Sequence, residues 1–447
     1  MYDEYKVRIM QILTKADKAS IDKLQGLISQ RLPIRERKAR QYIIDAFKGK
    51  MSSLIPFSFQ NESIIKMASY LLKYTTGSNY TLYQYVFGVH RFSKWLGKNP
   101  DEMVKESLLD KKTIGRFIEA IDDFVGDMQA EGLAPGTINN HVKGVKALFR
   151  VNGVTIILPY RLPKKVKYHD RSPIPEELSK IIDLAAVREK VIISMLALSG
   201  IRIGTLVKLQ YRHVRRDLER GVVPIHIHIH IEAEITKGKY HDYDTFIGSK
   251  AVEYLKTYLN VRRNGTRRDR WGMPPEKLTD ESPLIRAKGT KTVKSITPGN
   301  VHRAIHKLYL KAGILKKGNV KRYELRVHSI RKYFRTQLGS LSTIPTDYID
   351  YMMGHTVSTY NDVKMKGIDF LRNLYASSGL SIKPKIKTNK IDQLKLIIEA
   401  WGMNPDEILS KQALSMPHRT TVTQERGQIE VLNKALKQAI IKELQTH

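Results

Sequence analysis

The chain has 447 residues, of which 41% are hydrophobic, so it is long and apolar enough to bury the cores of more than one domain. Its 77 lysines and arginines against 44 aspartates and glutamates give a net charge of +33, which makes nucleic acid the expected partner. Cysteine is absent, which excludes disulfides and thiolate zinc sites, and no run of about eighteen apolar residues predicts a membrane span. We therefore expect a soluble, cytoplasmic, DNA-associated protein with no membrane partner.

The first third of the chain is predicted to be helical. Short amphipathic segments, such as residues 22–31, place residues 1–58 in an N-terminal helical extension. Residues 59–155 form a second block with apolar positions at helical spacing. Within it, residues 99–102 predict a helix start, because Asn99 can cap the helix, a proline suits the first turn and two acidic residues face the positive end of the dipole.

A segment rich in proline and basic residues, 156–174, is typical of a linker, so we place a domain boundary there. A helix is predicted to begin at Pro175, and another apolar helix is predicted to stop at Gly200. Arg202 then falls in a tight turn between two helices.

The sequence period changes between residues 223 and 247. Apolar residues largely alternate with other residues over 223–235, which predicts a strand with one buried face, and 243–247 is predicted to be its antiparallel partner. The turn between them contains Lys237 and Lys239. Helical patterns resume from residue 298, which predicts a mainly helical domain with one small sheet.

Three histidines, His226, His228 and His230, share one face of the predicted strand. A metal site is one interpretation, but consecutive positions on a strand face rarely converge on one ion, so we expect no metal. We instead expect the histidines on the solvent or DNA side of the sheet, where their titration could modulate DNA affinity.

Several further polar residues follow in chain order. His328 and Arg331 lie in a His-Ser-Ile-Arg sequence, His355 follows a glycine, and Tyr360 precedes an apolar helix. Together with Arg202 and the turn lysine, these segments resemble the active site of the tyrosine recombinase (phage integrase) family. The resemblance is close over about residues 175–375. Over 60–150 it is limited to the general helical character of the family's core-binding domain, and it does not extend to either end.

The resemblance implies the fold and the domain organisation. The fold would be mainly α, with a helical core-binding (DNA-binding) domain at 59–155 and an α-rich catalytic domain with a small antiparallel sheet at 175–380. Helical extensions would occupy 1–58 and 381–447. Recombinases of this family assemble through their C-terminal helices, so we expect the predicted helix at 429–444 to contribute to a homo-tetramer on DNA.

The resemblance also implies the roles of the site residues. The implied catalytic residues are Arg202, Lys237, His328, Arg331, His355 and Tyr360. Two guanidiniums would hold the phosphodiester and stabilise its pentavalent state, and His355 would add a donor. His328 would accept the tyrosine proton or orient the tyrosine, while Lys237, with Lys239 in reserve, would protonate the leaving 5′ oxygen. The phosphotyrosine conserves the bond energy, so neither a metal nor any other cofactor is expected.

Tyr360 departs from the family pattern because it follows His355 by five residues, whereas about nine residues are usual for this motif. A deletion of about four residues before the tyrosine explains the difference, since the apolar helix follows at the family's spacing. Tyr375, at the end of that helix, is the alternative nucleophile, and Tyr348 and Tyr351 are expected to pack on the preceding helix.

We expect a site-specific recombinase that integrates or excises a mobile element, since the short His355 to Tyr360 spacing and the cysteine-free basic composition resemble those of archaeal integrases. Its partners would be double-stranded attachment sites. Two alternatives remain: a type IB topoisomerase, which shares the arginine, lysine and tyrosine chemistry, and a noncatalytic DNA-binding relative. The sequence leaves open the target site, the preferred direction and whether cleavage is in cis or in trans.

Overall fold

A computed structural model describes the chain from residue 33 to residue 382. The description omits residues 50, 76, 163–167, 221–224, 267–273, 289–291, 319–321, 342–343 and 358–361. The chain divides into two compact units, Met1–Lys383 and Pro384–His447, and every described residue lies in the first. The predicted helices at 22–31 and 429–444 and the predicted nucleophile Tyr360 fall outside the described residues.

Seven helices make up the described part of the N-terminal half, from residue 33 onwards. They are α1 (Ile34–Phe47), α2 (Leu54–Gln60), α3 (Glu62–Tyr74), α4 (Asn79–Leu96), α5 (Pro100–Leu109), α6 (Lys111–Ala130) and α7 (Pro135–Val151). Their apolar faces bury one shared hydrophobic cluster, whose members run from Ala39 to Ile156. Part of the predicted N-terminal extension thus shares a core with the predicted DNA-binding domain, while the domain boundaries themselves stay a prediction.

Helices α4 and α7 pack against each other through two glycines. A methyl group added at Gly88 would lie 2.6 Å from the Cα of His141, and one added at Gly144 would lie 2.5 Å from the carbonyl oxygen of Tyr85. No side chain fits at these distances, so the two backbones can approach this closely only with glycine at the contact. The predicted start of α5 is confirmed, because Asn99 and Glu102 form a capping box.

The C-terminal half contains nine helices and two strands among the described residues. In chain order they are α8 (Pro175–Asp183), α9 (Val187–Ser199), α10 (Ile203–Leu206), α11 (Arg212–Leu218), β1 (Ile227–Ile231), β2 (Tyr243–Ile247), α12 (Ser249–Asn264), α13 (Pro298–Lys311), α14 (Val327–Gly339), α15 (Thr346–Met352) and α16 (Gly367–Ser377). They surround a second hydrophobic cluster, from Leu178 to Ile382. Helix α9 lies at its centre, since ten of its residues are buried.

The strands pair antiparallel, with Ile227 opposite Ile247 and Ile231 opposite Tyr243. The isoleucines of β1 alternate with exposed or half-buried histidines, as the sequence period predicts. The predicted strand was too long, however, because β1 ends at Ile231 and a short 3₁₀ helix occupies Ala233–Ile235. Every residue of β2 is buried, so this strand is covered on both faces.

The predicted fold class is confirmed: the described chain is mainly helical, with one small antiparallel sheet. Among the described residues, no helix combines the length and the apolar character needed to cross a membrane.

Candidate active site

Arg202 lies in the turn between α9 and α10. Helix α9 ends at Ser199, and Gly200 takes the left-handed conformation, with a φ of 62°, that reverses the chain direction. The guanidinium of Arg202 donates from Nη1 to the carbonyl oxygen of Gly354 at 3.1 Å. This contact joins the Arg202 turn to the turn that follows α15.

Arg331 joins the same two turns from the side of α14. Its side chain is buried, donating from Nη1 to the carbonyl oxygen of Gly200 and from Nη2 to that of Met353 at 2.7 Å. Burial and the nearby charge of Arg202 lower the pKa of the Arg331 guanidinium to about 10, which leaves it protonated at neutral pH. Two cations held this close create a strong preference for a bound anion.

The turn that carries His355 depends on a glycine. Gly354 has a φ of 64°, and a methyl group added to it would lie 2.5 Å from Cε1 of the Tyr243 ring. Both the left-handed backbone and the contact with the ring therefore require glycine. The backbone N–H of His355 donates to the carbonyl oxygen of Asp350 at 2.9 Å, which fixes the turn against α15.

The imidazole of His355 lies between the carboxylate of Asp350 and the guanidinium of Arg331. Its Nδ1 is 3.1 Å from Oδ1 of Asp350, and its Nε2 is 3.0 Å from Nη2 of Arg331. A guanidinium can only donate, so Nε2 is the accepting nitrogen and Nδ1 carries the proton that is donated to Asp350. Asp350 thus fixes the tautomer and directs Nε2 towards the two arginines.

The environment of His355 lowers its pKa below the usual value near 6.5. Burial is the main cause, and the charges of Arg331 and Arg202 add to it, while the hydrogen bond and charge of Asp350 oppose the shift. The free protein therefore holds His355 neutral at pH 7.

We expect the imidazole of His355 to titrate below pH 6.5 in the free protein, and still lower in an Asp350→Asn variant, because the substitution removes the negative charge that favours the protonated ring. Histidine NMR titration, with His355→Gln to assign the signal, measures both midpoints. Asp369→Asn is the matched control, since it removes one carboxylate that is 90% exposed and pairs with Arg372. A midpoint above 6.5, or a rise in the Asp350 variant, would contradict the assignment.

A cleft of about 370 Å³ opens beside these turns. Its lining includes Arg202, Lys237, Tyr243 and His355, together with Ser78 and Thr81 at the start of α4. Lys239 is not among the lining residues; its backbone, with a φ of 54°, donates to the Thr236 hydroxyl at 3.0 Å. Lys237 is therefore the better placed of the two lysines.

His328 lies in the first turn of α14, one helical turn before Arg331. Partial desolvation of the ring, followed by the positive charges of Arg331, Lys332 and Arg326, lowers its pKa, and Asp170 opposes the shift. A neutral imidazole at pH 7 can accept a proton, as the predicted role requires. His328 and Arg331 do not line the cleft itself.

The described tyrosines differ in their accessibility. Tyr375, the alternative nucleophile, is buried and donates its hydroxyl to the carbonyl oxygen of Leu198 at 2.7 Å. Burial raises its pKa far above the usual range, so the phenolate that an attack requires is strongly disfavoured. Tyr351 bonds to Asp244, and Tyr348 packs against Phe370. These contacts argue against Tyr375, while Tyr360 stays a prediction.

The sequence predicts that His226, His228 and His230 face solvent or DNA, but in the structure each of them also contacts another side chain. His228 and His230 each bond to Oδ1 of Asp244 at 2.8 Å, and His226 packs edge-on against Tyr375. The described residues contain no group of three or more metal-ligating side chains in a suitable arrangement.

Sequence reasoning missed Asp350, Tyr243 and Asp244. Asp350 bonds to His355, Tyr243 packs against Gly354, and Asp244 bonds to Tyr351 of α15. Asp350 precedes His355 by five residues, a spacing that helix and turn geometry could have suggested. Tyr243 and Asp244 gave no signal, because their contacts join β2 to a segment about a hundred residues later in the chain.

Comparisons with known proteins are consistent with the motifs. The model of the phage integrase family matches residues 174–366, a segment that contains all six predicted catalytic residues. No curated protein sequence matches the chain.

Solved structures give distant matches. The crystal structure of XerA recombinase is 21% identical and covers 71% of this chain and 98% of that chain, with a TM-score of 0.31. A Tn1549 transposon integrase in complex with transposon right end DNA is 14% identical, covering 75% of this chain and 99% of that chain, with a TM-score of 0.46. A lambda integrase tetramer bound to a Holliday junction is 14% identical, covering 80% and 90%, with a TM-score of 0.45.

Proposed function

We propose that this protein is a site-specific tyrosine recombinase, which cleaves and rejoins DNA through a 3′-phosphotyrosine intermediate and a Holliday junction. The observation that supports this most is the convergence of Arg202, Arg331 and His355, through backbone carbonyls of two turns, beside a cleft that Lys237 also lines. These side chains are far apart in the sequence.

The arrangement suits phosphoryl transfer. The two guanidiniums would stabilise the negative charge that develops on the nonbridging oxygens when a tyrosine attacks, and His355 would join them as a donor once the bound anion raises its pKa and Nε2 is protonated. His328, neutral at pH 7, would accept the proton of the Tyr360 phenol. Lys237 would give a proton to the 5′ oxygen as it leaves.

The covalent ester that forms retains the energy of the broken bond. A 5′ hydroxyl from a second duplex can therefore attack the phosphotyrosine and release the enzyme without a nucleotide cofactor. Exchange between two duplexes requires four such cleavages, and we propose a homo-tetramer in which each copy supplies one tyrosine.

We further propose that the protein acts in the cytoplasm on attachment sites of a mobile element, of the type integrated by archaeal integrases. Residues 59–155 would bind DNA as the core-binding domain and residues 175–380 would carry the chemistry, with 156–174 as linker. The helix predicted at 429–444 would contribute to the tetramer.

Covalent capture tests the proposal without knowledge of the target site. A pool of nicked duplexes with a randomised centre is incubated with the protein in EDTA and then denatured. The DNA that remains covalently linked to protein is recovered. We expect an adduct at the 3′ end of the cleaved strand and enrichment of one inverted-repeat sequence over successive rounds. Two copies of the enriched duplex should then recombine through a four-way junction.

The alternatives give different outcomes in the same experiment. A type IB topoisomerase would form the adduct with little enrichment, relax supercoiled plasmid and yield no junctions. A noncatalytic relative would retard DNA in a gel but form no adduct. Affinity alone separates none of them, because phosphate contacts dominate DNA binding in every case.

A further inference from the structure

Asp244 is a buried carboxylate with three side-chain hydrogen bonds. Its Oδ1 accepts from Nε2 of His228 and Nδ1 of His230, both at 2.8 Å, and its Oδ2 accepts from the hydroxyl of Tyr351 at 2.6 Å. We call these four residues the Asp244 cluster. It joins β1, β2 and α15.

The cluster keeps Asp244 ionised. Burial alone would raise the pKa of this carboxyl, but the hydrogen bonds from His228, Tyr351 and His230 outweigh burial and hold the pKa well below its usual range. Burial and the charge of Asp244 raise the pKa of Tyr351, so its hydroxyl remains a donor at any working pH. A buried charge with this many partners fixes the geometry of the groups around it.

The position of Asp244 relates it to the candidate site. Its neighbour Tyr243 packs against Gly354, and its other neighbour, Thr245, donates its hydroxyl to the carbonyl oxygen of Ser199 at 2.8 Å. Three consecutive residues of β2 therefore contact α15 and the segments that carry His355 and Arg202.

The same strand pair carries the turn lysine. After β1 the chain passes through Ala233–Ile235 to Lys237 and returns into β2. The backbone N–H of Ala233 donates to Oδ1 of Asp242 at 2.7 Å, which closes the base of this turn. A displacement of β1 or β2 relative to α15 would therefore move Lys237 relative to His355.

We propose that Asp244 is a positioning residue that couples the hairpin bearing Lys237 to the turn bearing His355. This inference rests on the proposed recombinase function, because it assigns those two side chains to one reaction. Asp244 touches neither the phosphate nor the leaving oxygen; it acts through His228 and His230 on one side and Tyr351 on the other.

The test separates positioning of the general acid from simple loss of stability. Asp244→Asn and Tyr351→Phe are compared with the wild type on the captured duplex, made with either an oxygen or a sulfur atom at the 5′ bridging position. A thiolate leaves without protonation, so the sulfur substrate does not need the lysine. Lys237→Ala supplies the reference, since its defect should be confined to the oxygen substrate.

We expect both variants to form the adduct about ten- to a hundredfold more slowly on the oxygen substrate, as for a misplaced catalytic group. The loss on the sulfur substrate should be clearly smaller. The double variant should be no slower than the slower single variant, because both substitutions break the same coupling. Tyr348→Phe is the matched control: it removes a hydroxyl from the same helix that makes no hydrogen bond with the described residues, and it should leave both rates unchanged.

Wild-type rates in Asp244→Asn and Tyr351→Phe would overturn the inference, as would equal losses on both substrates that match a fall in the folded fraction. Should Asp244→Asn fail to fold, Tyr351→Phe decides alone, because it removes one oxygen atom and leaves the charge of Asp244 paired with the histidines. An inactive wild type on both substrates would instead overturn the proposed function, and this inference with it.

Discussion

Replacement of Tyr360 by phenylalanine is expected to abolish the covalent protein–DNA adduct while leaving DNA affinity within about twofold of the wild type. Only the phenolic oxygen is lost, and the alternative nucleophile, Tyr375, is buried in the core. The phosphate contacts that dominate DNA binding are unchanged. Denaturing gels of the nicked, captured duplex measure the adduct, and gel retardation measures the affinity.

Tyr375→Phe is the matched control for this experiment. Its hydroxyl bonds to the carbonyl oxygen of Leu198 inside the core, so the substitution should cost about 1 kcal/mol of unfolding free energy and leave the adduct intact. Retention of the adduct in Tyr360→Phe together with its loss in Tyr375→Phe would transfer the nucleophile to Tyr375. That outcome would require α16 to leave the core, because Tyr375 is buried there.

The sequence predicted most of the fold because the strongest local signals are short range. The capping residues at 99–102, the glycine that ends α9 and the alternation of isoleucine in β1 each depend on neighbours a few residues away. The end of β1 was missed, since alternation continues to Ile235 and only the turn geometry ends the strand at Ile231. Tertiary structure here overrides a local pattern.

The residues of the candidate site could be predicted from the sequence, but the contacts that hold them in place could not. Resemblance supplied Arg202, Arg331 and His355, and the structure brings these three together. What the sequence could not supply is how they are held: Arg331 bridges carbonyl oxygens of residues 200 and 353, a contact that has no signature in residue type. Backbone acceptors are available at every position, so only the fold selects which of them a guanidinium meets.

Arg331→Lys is expected to slow adduct formation by at least about a hundredfold, the typical effect of removing one donor from a preorganised anion site. The charge is retained, but a single ammonium cannot reach Gly200, Met353 and a phosphate at once, as the planar guanidinium can.

The same substitution should also lower stability. A backbone carbonyl left buried without a donor costs about 1–3 kcal/mol, so thermal unfolding of Arg331→Lys should shift downwards by several degrees. Adduct rates must therefore be compared well below both unfolding transitions. Arg303→Lys makes the same chemical change on the exposed face of α13, where the side chain donates to Asn300 of its own helix, and it should alter neither property appreciably.

The combined result decides what Arg331 does. A large loss of rate in a protein that remains folded at the assay temperature means that the fork geometry of the guanidinium is needed in the transition state. Wild-type rates with lowered stability would instead restrict Arg331 to holding the two turns together, and the phosphate would then have to be stabilised by Arg202 and His355 alone. The first outcome is the one that the geometry favours, because carbonyl oxygens of the same two turns hold Arg331 and Arg202, so an anion bound there would meet two planar guanidiniums.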